Sequence, residues 1–130
     1  MGKSRLRVSW EIKDFIAKGT PLTEELYAFK LETGLDVNKG REAKLRPIKF
    51  TVVRNIDQHS NQFLICFTQK QVIKEITIQL ETISDDGALL SRTTFSAADT
   101  KVTFRSIPSN PAEERAIEGL TCESQDFSRL

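Results

Sequence analysis

Apolar and polar side chains alternate with a period of two along most of the chain, which is the signature of half-buried β-strands. Leu6, Val8, Trp10 and Ile12 alternate with Arg7, Ser9 and Glu11 and predict a first strand. Leu26 to Val37 puts Leu26 and Ala28 on one face and Tyr27, Phe29 and Leu31 on the other, a second strand with Gly34 as its bulge. Ile48, Phe50 and Val52 start a third strand directly after Pro47. Ile73 to Ile83 carries Ile76, Ile78 and Leu80 between Thr77, Gln79 and Glu81, the cleanest alternation in the chain. Asp85-Asp86-Gly87 then supplies hairpin turn chemistry, because Asp and Gly tolerate positive φ. Leu89 to Phe95 and Lys101 to Ile107 read as two further strands. The last is Ala116 to Phe127, where Ala116, Glu118, Leu120 and Cys122 alternate with Ile117 and Thr121.

One segment departs from this period. In Ser60 to Lys70 the side chains of Phe63, Leu64 and Phe67 fall on one helical face, with Ser60 placed to cap the first turn. The run Phe63-Leu64-Ile65-Cys66-Phe67 also fits a buried strand, but the cap and the polar tail Thr68 to Gln71 favour a helix. Two segments read as loops. Asn38 to Pro47 is charged and longer than a hairpin needs, and Pro108-Ser109-Asn110-Pro111 is rigid. The pattern predicts many strands around one short helix, in one domain spanning residues 1–130.

Composition narrows the function more than the fold. The 130 residues carry 19 basic and 18 acidic side chains, a formal net charge of +1. That balance argues against nucleic-acid binding, which needs a cation for each neutralised phosphate. No apolar run approaches the roughly 20 residues that span a bilayer, so no membrane insertion is expected. The basic start, Met1 to Arg7, leads into apolar residues interleaved with charges, unlike a signal peptide, and the expected starting compartment is the cytoplasm.

Candidate chemistry is sparse. Cys66 and Cys122 have no metal-ligand spacing and read as buried free thiols. His59, the single histidine, lies beside Asp57 and Ser60, but sequence neighbours rarely face one another as a triad requires, so Asp57 to Ser60 reads as a turn and helix cap. The pairs Glu24-Glu25 and Glu113-Glu114 put adjacent side chains on opposite faces of a strand and read as solvated surface. Nothing assembles a base, an acid and a nucleophile, so no catalytic residue, cofactor site or metal site is predicted. The basic loop stands out. Asn38, Lys39, Gly40, Arg41, Lys44 and Arg46 read either as a solvated loop or as a contact arm whose guanidiniums pair with carboxylates of a neighbouring subunit.

The middle of the chain resembles the haemolysin-coregulated protein family, the tube subunits of type VI secretion. The resemblance runs from Asn38-Lys39-Gly40-Arg41 through the strand Pro47 to Arg54 and Asn55-Ile56-Asp57-Gln58-His59-Ser60. It continues through the helix Phe63 to Lys70 and the strand Val72 to Leu80. It implies a mainly β fold, a small β-barrel of two sheets with one short flanking helix and an extended loop. It also implies a non-catalytic role. Six copies would form a ring, rings would stack into a tube, and effectors would travel in the lumen. Spike, sheath and effector proteins are the implied partners, and export runs through the apparatus without a signal peptide. A phage-tail-tube relative shares this logic. A different expectation from the same strands is a monomeric β-barrel that binds a small apolar ligand against Phe50, Phe63 and Phe67.

Overall fold

The computed structural model describes residues 4–32, 48–107 and 116–130. The basic loop Asn38 to Pro47, the bulge expected at Gly34, the Pro108 to Pro111 loop and the pair Glu113-Glu114 lie outside the described residues. Among the described residues, seven strands and one helix follow in order: β1 (Ser4–Ala17), β2 (Thr20–Leu26), β3 (Ala28–Glu32), β4 (Ile48–Asn55), α1 (Ser60–Thr68), β5 (Val72–Ser84), β6 (Leu89–Ser106) and β7 (Ile117–Arg129).

All seven strands belong to one sheet, in the order β2-β1-β5-β6-β7-β4-β3, with every neighbouring pair antiparallel. The expected barrel of two sheets is therefore wrong. One sheet curls into an open half-barrel and packs against its own inner face. It stays open because β2 and β3, its two edge strands, are not paired with each other. The strand expected over Leu26 to Val37 breaks at Tyr27, whose N–H donates to the Val53 carbonyl at 2.8 Å. There the chain leaves β1 as its partner and joins β4, crossing from one sheet edge to the other.

The curl has a visible cause in the burial pattern. On β1 the inward residues run Trp10, Ile12, Phe15, and on β5 they run Ile73, Ile76, Ile78. On β6 Ala97 is followed inward by Thr100 and Val102, and on β7 Ser124 is followed by Phe127. Each strand thus sends two successive residues outward at one common level, since Ile12, Ile76, Ala97 and Phe127 are register partners and so are Ile73, Thr100 and Ser124. A slip of one residue on four adjacent strands is a crease across the sheet. Two non-glycine residues sit on it in the left-handed region, Asp14 at φ 55° and Asp99 at φ 48°. The Ser124 hydroxyl donates to the Ala98 carbonyl at 2.8 Å and accepts from the Asp126 N–H, supplying bonds where the ladder is interrupted. The crease also hid the continuity of β6, which the alternation divided into Leu89–Phe95 and Lys101–Ile107. Asp tolerates a positive φ far better than a β-branched residue does. Asp99→Val is expected to lose about 1–2 kcal/mol in urea denaturation; an unchanged midpoint would show that the crease does not depend on this conformation.

The helix closes one side of the half-barrel. Phe63 and Cys66 point into the core, and Phe63 stacks on Phe15 at 4.6 Å and Trp10 at 5.7 Å between ring centres. A second aromatic group, Phe29, Phe50, Phe95 and Phe127, fills the other side, with neighbouring rings 5.3–6.2 Å apart. Helix was the right reading of Ser60 to Lys70, and the chain turns out of it at Lys70 with φ 54°. The expected cap was not. The N-cap is His59, and Asp57 Oδ1 accepts the His59 N–H at 2.8 Å, while the Ser60 side chain turns inward. The β5–β6 hairpin matches its expected turn: Gly87 takes φ 89° and its N–H bonds the Ser84 carbonyl.

Candidate functional site

Three charged residues continue apolar alternations into the interior. Phe50, Val52 and Arg54 share the inner face of β4, as do Glu118, Leu120 and Cys122 on β7 and Leu22, Glu24 and Leu26 on β2. Arg54 and Glu118 are completely buried. A buried charge is tolerated only with its hydrogen bonds met, and here they are met in full.

The Arg54 guanidinium uses all five of its N–H groups. Nε donates to Glu24 Oε2 at 2.7 Å and one Nη2 proton goes to Glu24 Oε1 at 3.1 Å, a bidentate pair. The other Nη2 proton goes to Asp57 Oδ1 at 2.9 Å. Nη1 donates to Glu118 Oε2 at 2.5 Å and to Ser60 Oγ at 3.1 Å. Glu118 is held twice more, by the Ser60 hydroxyl at 2.6 Å and by Arg105 Nε at 2.7 Å. Glu24 also accepts the Trp10 indole N–H at 2.8 Å, and Arg54 stacks over the Phe63 ring at 4.6 Å. Arg54 on β4 therefore joins β2, β7, α1 and the turn before it directly, and reaches β1 and β6 through Glu24 and Glu118. The ionisation states follow. Burial acts to lower the Arg54 pKa, but the hydrogen bonds and charges of Glu24 and Asp57 outweigh it and hold it raised. Burial acts to raise Asp57, but Arg54, the His59 N–H and the His59 charge keep it below its ordinary 3.8.

This cluster was not anticipated. Glu24-Glu25 read as solvated surface, whereas Glu24 is held by Arg54 and Trp10 and only Glu25 is exposed. The signal was present at Glu118, where a carboxylate sits in phase with Leu120 and Cys122, and at Arg54, in phase with Phe50 and Val52. Asp57, His59 and Ser60 do form the expected turn, with Ser60 Oγ accepting the Asp57 N–H at 2.9 Å.

On the outer face a shorter ion row crosses three strands. Arg7 of β1 and Arg92 of β6 each bond Glu81 of β5, at 2.9 Å and 2.7 Å, and together hold its carboxyl below the usual range. A groove of about 630 Å³ lies between β1, β5 and α1, bordered by Ile12, Phe15, Gln62, Cys66, Ile73 and Lys74. The aromatic residues expected to line a ligand cavity are not there: Phe50 and Phe63 have no exposed surface and Phe67 packs against the core. Both cysteines are free and buried as expected; burial raises the Cys66 thiol and pushes Cys122 up to about 12. Neither should be alkylated by iodoacetamide at pH 8 in the folded protein, checked by mass, since the thiolate is the reactive form. Among the described residues, no group of three or more His, Cys, Asp or Glu could hold a metal ion, and no helix is long and apolar enough to cross a membrane. The predicted interface residues Asn38, Lys39, Gly40, Arg41, Lys44 and Arg46 lie outside the described residues.

No family model matches the sequence, and no curated protein matches it. Solved structures match the fold. Hcp1 from E. coli EAEC 042 superposes with a TM-score of 0.66 at 13% identity, over 95% of this chain and 89% of that one. Hcp1 from Salmonella typhimurium gives 0.61 at 13% identity, over 95% and 79%. A chain of the six-fold symmetrised baseplate of the anti-feeding prophage gives 0.55 at 12% identity, over 97% and 92%. The chain thus shares the fold of these Hcp structures.

Proposed function

We propose that this chain is a non-catalytic structural subunit of a contractile injection apparatus, forming six-membered rings that stack into the inner tube of a type VI secretion system. The observation that carries the reading is the extent of the fold match. It takes in nearly the whole chain and most of each relative, so what is shared is an entire subunit architecture. The sheet edges add support. Among the described residues β2 pairs only with β1 and β3 only with β4, which leaves ladder groups at both ends of the sheet for neighbouring copies. In this reading effectors travel in the lumen, spike and sheath proteins are the other partners, and the subunit leaves the cytoplasm through the apparatus itself. The phage-tail-tube reading keeps the same fold and the same ring logic, and the baseplate chain supports it equally.

Native mass spectrometry and negative-stain microscopy test this directly. A species of six chains and ring-shaped particles are expected. A strict monomer at high concentration would sink the proposal. The basic loop enters through a second measurement: Arg41→Glu with Arg46→Glu is expected to shift the mass distribution towards single chains, because a reversed charge repels the carboxylates it is proposed to meet. An unchanged ring mass would remove those two residues from the interface.

A further inference from the structure

The Arg54 cluster stands where the curled sheet is least secured. β2 lies at one end of the strand order and β4 next to the other end, yet Glu24 of β2 and Arg54 of β4 meet at 2.7 Å. Backbone bonding across this seam includes the Tyr27 N–H to the Val53 carbonyl. The charged and titratable groups around Arg54 come from every element packed on it: Glu24 of β2, Asp57 and His59 of the turn before α1, Glu118 of β7 and Arg105 of β6.

Three carboxylates face two guanidiniums. The three differ in exposure and in the number of donors they hold. The Glu118 side chain is 0% exposed and holds three donors, whereas Glu24 is 15% and Asp57 39% exposed. Arg54 cannot discharge in compensation, because a guanidinium stays protonated across the whole working range. Neutralising Glu24 and Asp57 would leave a buried cation sharing one carboxylate, Glu118, with Arg105. The seam would then carry an uncompensated charge in a dry site, which is strongly unfavourable.

We propose that this cluster is an acid-released latch: at neutral pH it ties β2 to β4 and α1, and in acid it lets go of β2 while the rest of the sheet stays folded. The sign follows from linkage. A carboxylate whose pKa is lowered in the folded state, as for Asp57, contributes stability that is present above its ordinary 3.8 and lost as pH falls below it. The latch is a property of the single chain and does not depend on the ring reading.

The protein carries its own reporter. Trp10 is the single tryptophan, donates its indole N–H to Glu24 and stacks on Phe63. Titrating the intact protein from pH 7 to pH 2, the Trp10 emission is expected to shift to longer wavelength before the far-UV circular dichroism loses its β signal. Glu24→Gln, which imitates the protonated acid, should lose at least half of the amplitude of that step, and Asp57→Asn should reduce it. Coincident fluorescence and dichroism transitions overturn the latch, as does a Glu24→Gln variant that keeps the full step. A midpoint that moves with protein concentration also overturns it, since the step would then report dissociation of copies. If Glu24→Gln fails to fold, the comparison of the two probes in the unmutated chain still decides.

Discussion

Arg54→Met is expected to destabilise the protein by about 3–5 kcal/mol, read as a fall in the urea midpoint with an unchanged slope. The substitution nearly preserves the length of the buried stem but removes five donors at once. Glu118 keeps Arg105 and Ser60, yet loses the 2.5 Å partner at its second oxygen, and Glu24 is left with Trp10. The cost comes chiefly from carboxylates stranded in a dry site, not from the lost attraction itself. Two further variants separate these terms. Arg54→Lys keeps the charge but not the planar fork, so it should recover only part of the loss. Arg54→Met combined with Glu24→Gln should cost less than the sum of the two single changes, because the second removes a charge that the first has stranded. A loss below about 1 kcal/mol in Arg54→Met would mean that the interior relaxes enough to hydrate Glu118.

Phe63→Ala should cost about 3–5 kcal/mol, the range for removing a buried aromatic from a close-packed core. Phe63 has no exposed surface, and its ring is gripped by Phe15 and Trp10 and covered by the Arg54 guanidinium. It is also the side chain by which the short helix enters the sheet. A nine-residue helix has little stability of its own, so its place depends on such contacts. Phe63→Leu keeps most of the apolar area but loses ring stacking and the cation–π contact, and about 1–2 kcal/mol is expected. Thermal unfolding by circular dichroism checks both. If Phe63→Ala unfolded like the parent chain, the helix would be held by something other than this plug.

Most of the elements could be read from the chain because they are local. The hairpin at Asp85 to Gly87 needs only residues that accept positive φ, and β4 and β5 needed only their alternation. The misreadings have non-local causes. β2 went unseen because Glu24 occupies an inward position that an alternation test scores as polar. Its burial depends on Arg54, thirty positions away. The alternation from Leu26 to Leu31 runs through Tyr27 unbroken, because apolar pattern does not reveal a change of partner. β6 was cut in two because the crease shifts its phase at Asp99, and a period-two test reads a phase shift as an end. Ser60 suits a cap by its position before an apolar run; in the folded chain its hydroxyl is claimed by Glu118, Arg54 and the Asp57 N–H.

By itself, then, the sequence determined the strand segments at β1, β4, β5 and β7, the helix and the tight turn, but not β2 or the continuity of β6. Each of these follows from side-chain period and turn chemistry within about ten residues. The resemblance of its middle segment pointed to Hcp proteins, although the barrel of two sheets expected from it is not the fold found. Only the tertiary structure decided that the strands form one creased sheet and that β2 and β4, far apart in the strand order, meet at Arg54. Strand order, register and the pairing of buried charges are contacts between residues far apart in the chain. A carboxylate next to a leucine looks solvated until the cation that will bury it is brought alongside.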